Sequence, residues 1–465
     1  MMSHSEQLHR ETYNQPCDQP CREANLDAIE AFIVGGCKPS GGNVGIELEH
    51  ILVSCQDHHA AGYYDEGGAR WALERLLDEY PQDIRTNAGD LIGAERPHES
   101  ITLEPGGQLE FSAGPFSSLS EAKRCFDAFE ALLGETLAPA GTCALTVGFH
   151  PTSRAADLPL IPKPRYAFMN RYFNEIGPWG IRMMRGSAST QVSIDFESPA
   201  DAARKLRLAN AAVPLLALIA DNTPVFEAEP SPHAMMRTEM WNGVDPDRCG
   251  VVPGSMSPSF TVRDYAAYIL DTPAIVAPDL AQRKADIGIS VKPSAEVPGC
   301  TCNSDDCATE ASAADSYASS TDVPNVSTAN GSPEFIYDER TFGEIFADQV
   351  MSESDVQHAL SMVFPDVRIK RILEIRPADS LPVDKAIAYA ALVKGLFTAP
   401  ASLDALDKLF AGVTEADIAA AKASLMQNGW DSEIYGKTAR ELREALFNIA
   451  AERLGKEARF LAPLR

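Results

Sequence analysis

Two acidic segments carry residue types and spacings that could do chemistry. In Gly45-Ile46-Glu47-Leu48-Glu49 the carboxylates are two residues apart, and an extended chain puts both on one face. In Leu103-Glu104-Pro105-Gly106-Gly107-Gln108-Leu109-Glu110, Gln108 and Glu110 again share a strand face. If the two strands are neighbours, Glu47, Glu49, Glu104 and Glu110 converge on one patch. Clustered carboxylates repel, and they persist where cations occupy the site or a proton is required. An all-oxygen cluster without His or Cys suits Mg2+ or Mn2+ better than zinc, and magnesium often binds through substrate phosphates. The pattern reads as an ATP site without a P-loop, because Gly106-Gly107 lacks the spacing and the lysine of that motif. It also fits acids that merely face solvent in a very acidic protein. The neighbouring glycines, which permit close approach of backbone to a ligand, weigh against that.

Phosphates need cations as well. Candidates are Lys163 and Arg165 in Pro-Lys-Pro-Arg-Tyr, Arg182 and Arg185, Arg237 and Arg248, and Lys370, Arg371 and Arg376. Read as one strand over 368–375, the last segment puts Lys370, Glu374 and Arg376 on one face. That face could hold phosphate and metal at a cleft, and a solvated sheet face or an internal ion pair fits it equally. His50 alternates with Ile46 and Leu48 and reads as a core histidine behind the strand. Met183 and Met184 read as packing residues near the cleft.

These residues need strands to carry them and helices to cover the back. Strands are expected over 44–53, 101–104, 108–112, 145–149 and 189–196, with 90–93 a turn-bearing connection. In the 190 segment, Thr190, Val192, Ile194 and Phe196 alternate against Gln191, Ser193 and Asp195. Helices are expected over 25–34, 69–79, 119–133, 166–173, 201–219, 356–363 and 386–397, and the chain after residue 400 is mostly helical. Three regions follow: a loosely ordered tail over 1–22, a catalytic domain over 23–400, and a helical region over 401–465 packed on it. Residues 296–333, rich in Ser, Ala, Thr, Asp and Asn, form a disordered insertion. These elements make an α+β fold.

The chain has 465 residues, and 40 Lys and Arg against 66 Asp and Glu give a formal charge of −26. A polyanion without a basic patch excludes nucleic acid as a partner. The most apolar run, 206–220, is broken by charge at both ends and reads as a buried helix, so no membrane partner is expected. Ten scattered cysteines argue against a dense disulfide scaffold. With no signal-like N-terminus, a soluble cytoplasmic protein is expected.

The combination is more specific than its parts. Leu103 to Ser112, LEPGGQLEFS, resembles the most diagnostic stretch of the plant and bacterial type glutamate–cysteine ligases. In the same order come Gly-Ile-Glu-Leu-Glu-His at 45–50, Pro-Lys-x-Arg-Tyr at 162–166 and Met183-Met184 before Thr190-Gln191-Val192-Ser193-Ile194-Asp195. Asn222-Thr223-Pro224, Arg237 with Trp241, Asp245-Pro246-Asp247-Arg248 and the run from Phe364 to Ser380 complete the series. The resemblance spans roughly residues 30–400. It implies a glutamine synthetase-like ligase whose curved, mainly antiparallel sheet forms a funnel for ATP and Mg2+, Mn2+ being the other candidate. It also implies that glutamate, activated as γ-glutamyl phosphate, is joined to cysteine, as the first step of glutathione synthesis. The alternative is the same chemistry with another amine acceptor.

On this resemblance Glu47, Glu49, Glu104 and Glu110 place the metals, with Glu374 a further ligand beside the nucleotide. Lys163, Arg165, Gln191 and Lys370 contact ATP, and Arg376, Lys370 and Arg165 act on the transferred phosphoryl group. Arg237 binds the glutamate α-carboxylate, and Gln108, Thr190 and Asn222 are hydrogen-bonding neighbours. No cysteine is assigned to catalysis, and relatives occur as monomers and dimers. Departures exist. Serines stand at 117, 118 and 120, where the family commonly has a histidine, and Pro377 replaces a common glycine. Cys300, Cys302 and Cys307 in the insertion match no strong zinc spacing and read as incidental.

Overall fold

The computed structural model describes residues 21–39, 42–280 and 335–465. The tail expected over 1–22 (apart from its last two residues) and the insertion with Cys300, Cys302 and Cys307 lie outside the described residues. Nine strands build the main sheet: β1 (Val44–Ser54), β2 (Gln82–Arg85), β3 (Leu91–Arg96), β4 (Glu99–Leu103), β5 (Leu109–Phe116), β6 (Thr142–Leu145), β7 (Ser189–Ile194), β8 (Val367–Ile369) and β9 (Leu373–Asp379). The helices that bear on the site are α1 (Arg22–Val34), α2 (Leu119–Leu137), α3 (Pro164–Ile176), α4 (Pro178–Gly186), α5 (Pro199–Ile219), α6 (Met236–Asn242), α7 (Val383–Phe397) and α8 (Ala439–Leu454).

The strand order is β8-β9-β7-β1-β5-β4-β3-β2, with β6 paired to β1 off this path. Every pairing in this sheet is antiparallel. The α+β class therefore holds, but the sheet that curls into a funnel does not. The order has two ends, β8 and β2, that do not pair with each other, so the sheet is an open layer. Alternation within a strand fixes its faces and says nothing about whether a sheet closes.

β1 lies at the centre and is buried along its length except at its last residue. Its back face opposes Ile46 to Ala113, Leu48 to Phe111 and His50 to Leu109 on β5. Helix α2 covers that face with Leu119, Ala122, Phe126, Phe129, Leu133 and Leu137, a stripe at spacings of three and four. Phe129 stacks on Phe111 with ring centroids 3.9 Å apart. Ser118, in the stretch where the family's histidine is expected, caps this helix by accepting from the Ser120 N–H. His50 is fully buried on the back, as its alternation implies. Its Nδ1 lies 3.1 Å from the Leu109 carbonyl and its Nε2 2.6 Å from Glu130 Oε1 of α2. Behind this layer α7 and α8 press together at Gly395, where a Cβ would come within 2.7 Å of the Ala450 Cα.

Three expectations change, and one strand is unforeseen. Residues 91–96 are strand β3, not a connection, and the mostly exposed edge strand β2 has no apolar alternation to reveal it. The strand expected over 145–149 lies earlier, as β6 at 142–145, where Cys143 forms a disulfide to Cys55 across a Cα–Cα distance of 5.2 Å. Residues 368–375 are not one strand. The chain reverses at 370–372, with the Lys370 N–H donating to the Ile372 carbonyl at 2.8 Å, so β8 and β9 form a hairpin.

The His50 contacts generate a stability prediction. His50→Ala removes buried packing and leaves the Leu109 carbonyl without that partner, so urea unfolding should show a loss of about 2–3 kcal/mol. A change within about 0.5 kcal/mol, the usual span for a surface substitution, would mean that His50 does not tie α2 to the sheet.

Candidate active site

The front face of the sheet carries the acids. Register puts Glu49 directly opposite Glu110 and Glu47 opposite Ser112 across β1 and β5. On the other edge of β1, Glu47 lies opposite Gln191 of β7. The β4–β5 turn brings in Glu104, whose N–H donates to the Gln108 carbonyl at 2.9 Å while its own carbonyl accepts from Gly107 at 2.9 Å. Gly107 adopts φ +85°, a conformation that glycine takes without strain. Gly106 permits a second contact, since a Cβ there would sit 2.2 Å from the Arg185 carbonyl at the end of α4. The acidic turn is thereby pressed against a helix.

Like charges directly opposite on neighbouring strands are normally avoided. Here Glu47, Glu49 and Glu110 are all buried. Glu49 accepts from the Ser189 N–H and hydroxyl, each at 2.7 Å. Glu110 Oε1 accepts from the Thr102 hydroxyl at 2.8 Å and the Ser112 hydroxyl at 3.3 Å. Glu47 Oε2 and Glu110 Oε2 are buried without hydrogen-bond partners. Burial, with repulsion from Glu374, pushes Glu47 up to about 7, and burial, with repulsion from Glu104, pushes Glu49 up to about 7. Burial and the charges of Glu47, Glu104 and Glu49 push Glu110 well above the usual carboxylate range.

Beside the acids stands a ladder of cations. Across the β8–β9 hairpin Arg368 opposes Glu374, and its Nε lies 2.6 Å from Glu374 Oε2. Lys370 Nζ is 2.9 Å from Glu374 Oε1, and Arg376 Nη1 is 3.7 Å from Oε2. Burial alone would raise Glu374, but Arg368, Lys370 and Arg376 outweigh it and keep the carboxyl ionised well below its usual range. Burial and the neighbouring Arg368 pull Arg376 down to about 10. Arg376 also donates to Gln191 Oε1, which fixes its direction. Arg237, on α6, donates from Nε to the Arg376 carbonyl at 3.4 Å and lies 5.6 Å over the Trp241 ring. Arg165 Nε and Nη1 are buried without hydrogen-bond partners.

One pocket gathers Glu49, Glu104, Gln108, Arg165, Gln191, Arg237 and Arg376, all singled out in the sequence, together with Arg368, which was not. Its signal was its even spacing from Lys370, Glu374 and Arg376. Glu47, Glu110, Lys370 and Glu374 are not among the residues that line the pocket, but are joined to it through the contacts above. Gln108 is already committed: its Oε1 accepts from the Gly106 N–H at 2.9 Å and its Nε2 donates to the Ser187 carbonyl at 2.7 Å. Lys163 stands at the start of α3 with its ammonium 5.1 Å from the Tyr166 ring centroid, and does not line the pocket.

Two residues expected to bind substrate have side chains engaged within the fold. Thr190 pairs with Leu48, not with an acid, so it lies on the back of the sheet, where its hydroxyl accepts from the Leu381 N–H at 3.1 Å. The Asn222 side chain donates to the Thr146 and Ser380 carbonyls at 2.9 and 2.8 Å, so both its N–H groups tie backbone segments together.

Among the described residues no three His, Cys, Asp or Glu side chains converge tightly enough to cage a metal ion. The oxygen donor set and the orphaned Glu47 and Glu110 oxygens nonetheless fit Mg2+, which commonly takes one or two carboxylates and completes its shell with water and phosphate.

Comparison with known proteins bears on this chemistry. The family model for glutamate–cysteine ligase family 2 matches residues 43–465. The chain is 28% identical over 443 residues to the chloroplastic glutamate–cysteine ligase B of Oryza sativa subsp. japonica, covering 93% of this chain and 79% of that one. It is 28% identical over 400 residues to the chloroplastic glutamate–cysteine ligase of Arabidopsis thaliana, covering 84% and 67%. A solved glutamate–cysteine ligase from Francisella tularensis in complex with AMP overlays at a TM-score of 0.49 and 12% identity, covering 92% of this chain and 81% of that one. That overlay is too loose to carry an argument. The expectation of a cytoplasmic protein is overturned, because the plant relatives are chloroplastic by name. Net charge and the lack of a long apolar run carry no cellular address.

The raised acids predict a pH-dependent response to metal. Glu47 and Glu49 have an ordinary value of 4.5 and a folded value of about 7, so between these pH values the folded state binds more protons than the unfolded state. Their contribution to stability is full below about 4.5 and is lost as pH rises through about 7. A cation bound to the ionised acids reverses that loss. The gain in Tm on adding Mg2+ should therefore be larger at pH 8 than at pH 5.5, and an equal gain at both would contradict the assignment.

Proposed function

The chain belongs to glutamate–cysteine ligase family 2, and from that premise we propose that it joins the γ-carboxylate of L-glutamate to the amino group of L-cysteine at the expense of ATP. The observation that carries this reading is one pocket in which buried carboxylates adjoin buried guanidinium groups. The acids have no cation in ion-pair contact, the cations share the single carboxylate of Glu374, and a divalent metal, a triphosphate and an amino-acid carboxylate supply what each set is short of. Bound Mg2+, or Mn2+, neutralises phosphate charge and aligns the transferring group. Glu47, Glu49, Glu104 and Glu110 are the residues that hold it, and Glu374, shared with Arg368 and Lys370, faces the same metal and nucleotide.

The proposed reaction has two steps. An oxygen of the glutamate γ-carboxylate attacks the γ-phosphorus, the bond from that phosphorus to the bridging oxygen breaks, and ADP leaves. The cysteine nitrogen then attacks the acyl carbon of γ-glutamyl phosphate, inorganic phosphate leaves with the bond electrons, and the nitrogen releases a proton. Arg165, Arg376 and Lys370 meet the charge on the transferring phosphoryl group, with Arg368 beside them. Gln191 orients Arg376 through the hydrogen bond already described. Lys163 stands two residues before Arg165, outside the pocket lining, and contributes long-range positive charge to the nucleotide.

Arg237 receives the glutamate α-carboxylate. Its guanidinium lines the pocket and its planar fork matches a carboxylate. Burial pulls it below the usual arginine range, which an incoming carboxylate would relieve. No enzyme nucleophile is needed, and the half-buried Cys249, whose thiol is pushed far above its ordinary value by its surroundings, is unsuited to be one.

Phosphate release from MgATP with glutamate and cysteine tests the reading, with γ-glutamylcysteine identified by mass. Glu104→Gln should abolish turnover while the protein stays folded. Arg237→Lys keeps the charge and loses the fork, so the KM for glutamate should rise about 10–100-fold, the cost of a charge-assisted hydrogen bond. Full activity in Glu104→Gln would remove the acids from the mechanism, and an unchanged glutamate KM in Arg237→Lys would remove Arg237 from the carboxylate site.

A further inference from the structure

The pocket has a wall that none of the steps above uses. Met169 of α3, Met183 and Met184 of α4, Trp241 of α6 and Phe364 line the same pocket as the charged groups. They come from three helices and from a two-residue strand, Phe364–Pro365, outside the main sheet, whereas Glu49 comes from β1 and Glu104 from the β4–β5 turn. The wall is one packed unit. Trp241 and Phe364 have ring centroids 5.9 Å apart, and Phe364 lies 6.3 Å from Phe173, one turn beyond Met169 on the same face of α3. It is also fixed relative to the acids. Gly106 sits against the Arg185 carbonyl, Gln108 donates to the Ser187 carbonyl, and the Ser187 hydroxyl donates to the Met183 carbonyl at 2.7 Å.

Three thioethers and two aromatic rings at a site of charge chemistry call for a ligand group of matching kind. Triphosphate and carboxylate groups gain nothing there. A thioether sulfur is a weak acceptor and no donor. The three hydroxyls that line the pocket, Tyr166, Ser187 and Ser361, are all spent as donors, to the Leu103, Met183 and His358 carbonyls. A small thiol or alkyl group can enter this wall with favourable sulfur and aromatic contacts. A hydroxyl entering it gives up water for weaker partners.

We propose that the wall formed by Met169, Met183, Met184, Trp241 and Phe364 receives the side chain of the acceptor amino acid and selects a small thiol over its hydroxyl isostere. The inference rests on the ligase reading, and deepens it by assigning the residues that set acceptor choice. Burying a hydroxyl with poor partners costs about 1–3 kcal/mol, which is about 10–100-fold in specificity. Methionine is well suited to the task, because its flexible, polarizable chain follows a small ligand closely.

The experiment measures kcat/KM for cysteine, serine and 2-aminobutyrate at saturating glutamate and MgATP. The wild-type enzyme should use cysteine and 2-aminobutyrate in preference to serine by about 10–100-fold. Met183→Gln keeps the chain length and supplies a donor and an acceptor, so it should narrow the preference over serine about tenfold while the KM for glutamate stays put. Met183→Leu keeps the wall apolar and should keep the discrimination, which separates polarity from a general disturbance of packing. Wild-type use of serine as readily as 2-aminobutyrate overturns the proposal, whatever the variants do. So does a Met183→Gln enzyme whose glutamate KM rises with its acceptor ratio unchanged, since the wall would then hold the glutamate methylenes. Turnover with none of the three acceptors would instead remove the ligase reading and this assignment with it.

Discussion

Glu49 and Glu110 face each other across the central strand pair, buried, with Glu47 beside them, and they cannot all carry charge without cations between them. In a medium of low dielectric, such repulsion is several times stronger than at a surface. The protein's own cations relieve it only in part, and Glu47 and Glu49 stay raised. Arg368 and Lys370 are gripped by Glu374, and Arg376 is turned toward Gln191. The fold thus keeps an excess of negative charge and an excess of positive charge side by side, each short of counterions. Metal, phosphate and substrate carboxylate complete both, so binding energy is stored where phosphoryl transfer needs charge neutralised.

The rest of the structure holds that arrangement. A central strand can carry ionisable groups on one face because the other is locked by α2, Phe111 and His50. Two tight turns set the reach of the acids and the cations: the β4–β5 turn places Glu104, and the β8–β9 hairpin folds Arg368 back onto Glu374. Gly106 lets α4 close on the first turn, and with α4 come the methionines of the apolar wall. Position at the site is therefore fixed by strand register and by backbone contacts with little freedom to drift.

Much of this was legible in the chain. Spacing by two put Glu47 and Glu49 on one face, and Pro105-Gly106-Gly107 marked a break in the extended run, which fits a strand pair or one interrupted strand; the structure makes it the turn of a pair. Alternation in the 190 segment set Thr190 with Val192 and Ile194, and the structure keeps it there, on the back; its assignment to substrate came from resemblance alone. The Arg368–Ile375 segment was harder. Nothing in its composition marks the reversal at 370–372, since no glycine, proline or asparagine stands there. The openness of the sheet depends on which strands pair, a long-range property that local pattern does not hold. Asn222 sits in a loop, where no periodicity reports what a side chain bonds to. His50 was readable because its position follows from the same alternation that places the acids.

The central claim is that the buried acids form a cation site. Titrating Mn2+ into the nucleotide-free protein, and into Glu110→Gln, while following free Mn2+ by EPR tests it directly. Wild-type protein should take up Mn2+, and Glu110→Gln should bind it at least about tenfold more weakly, since even the outer partners of metal ligands are worth 10–100-fold. Folded wild-type protein that takes up no Mn2+, or a Glu110→Gln protein that binds it as tightly as wild type, would contradict the account.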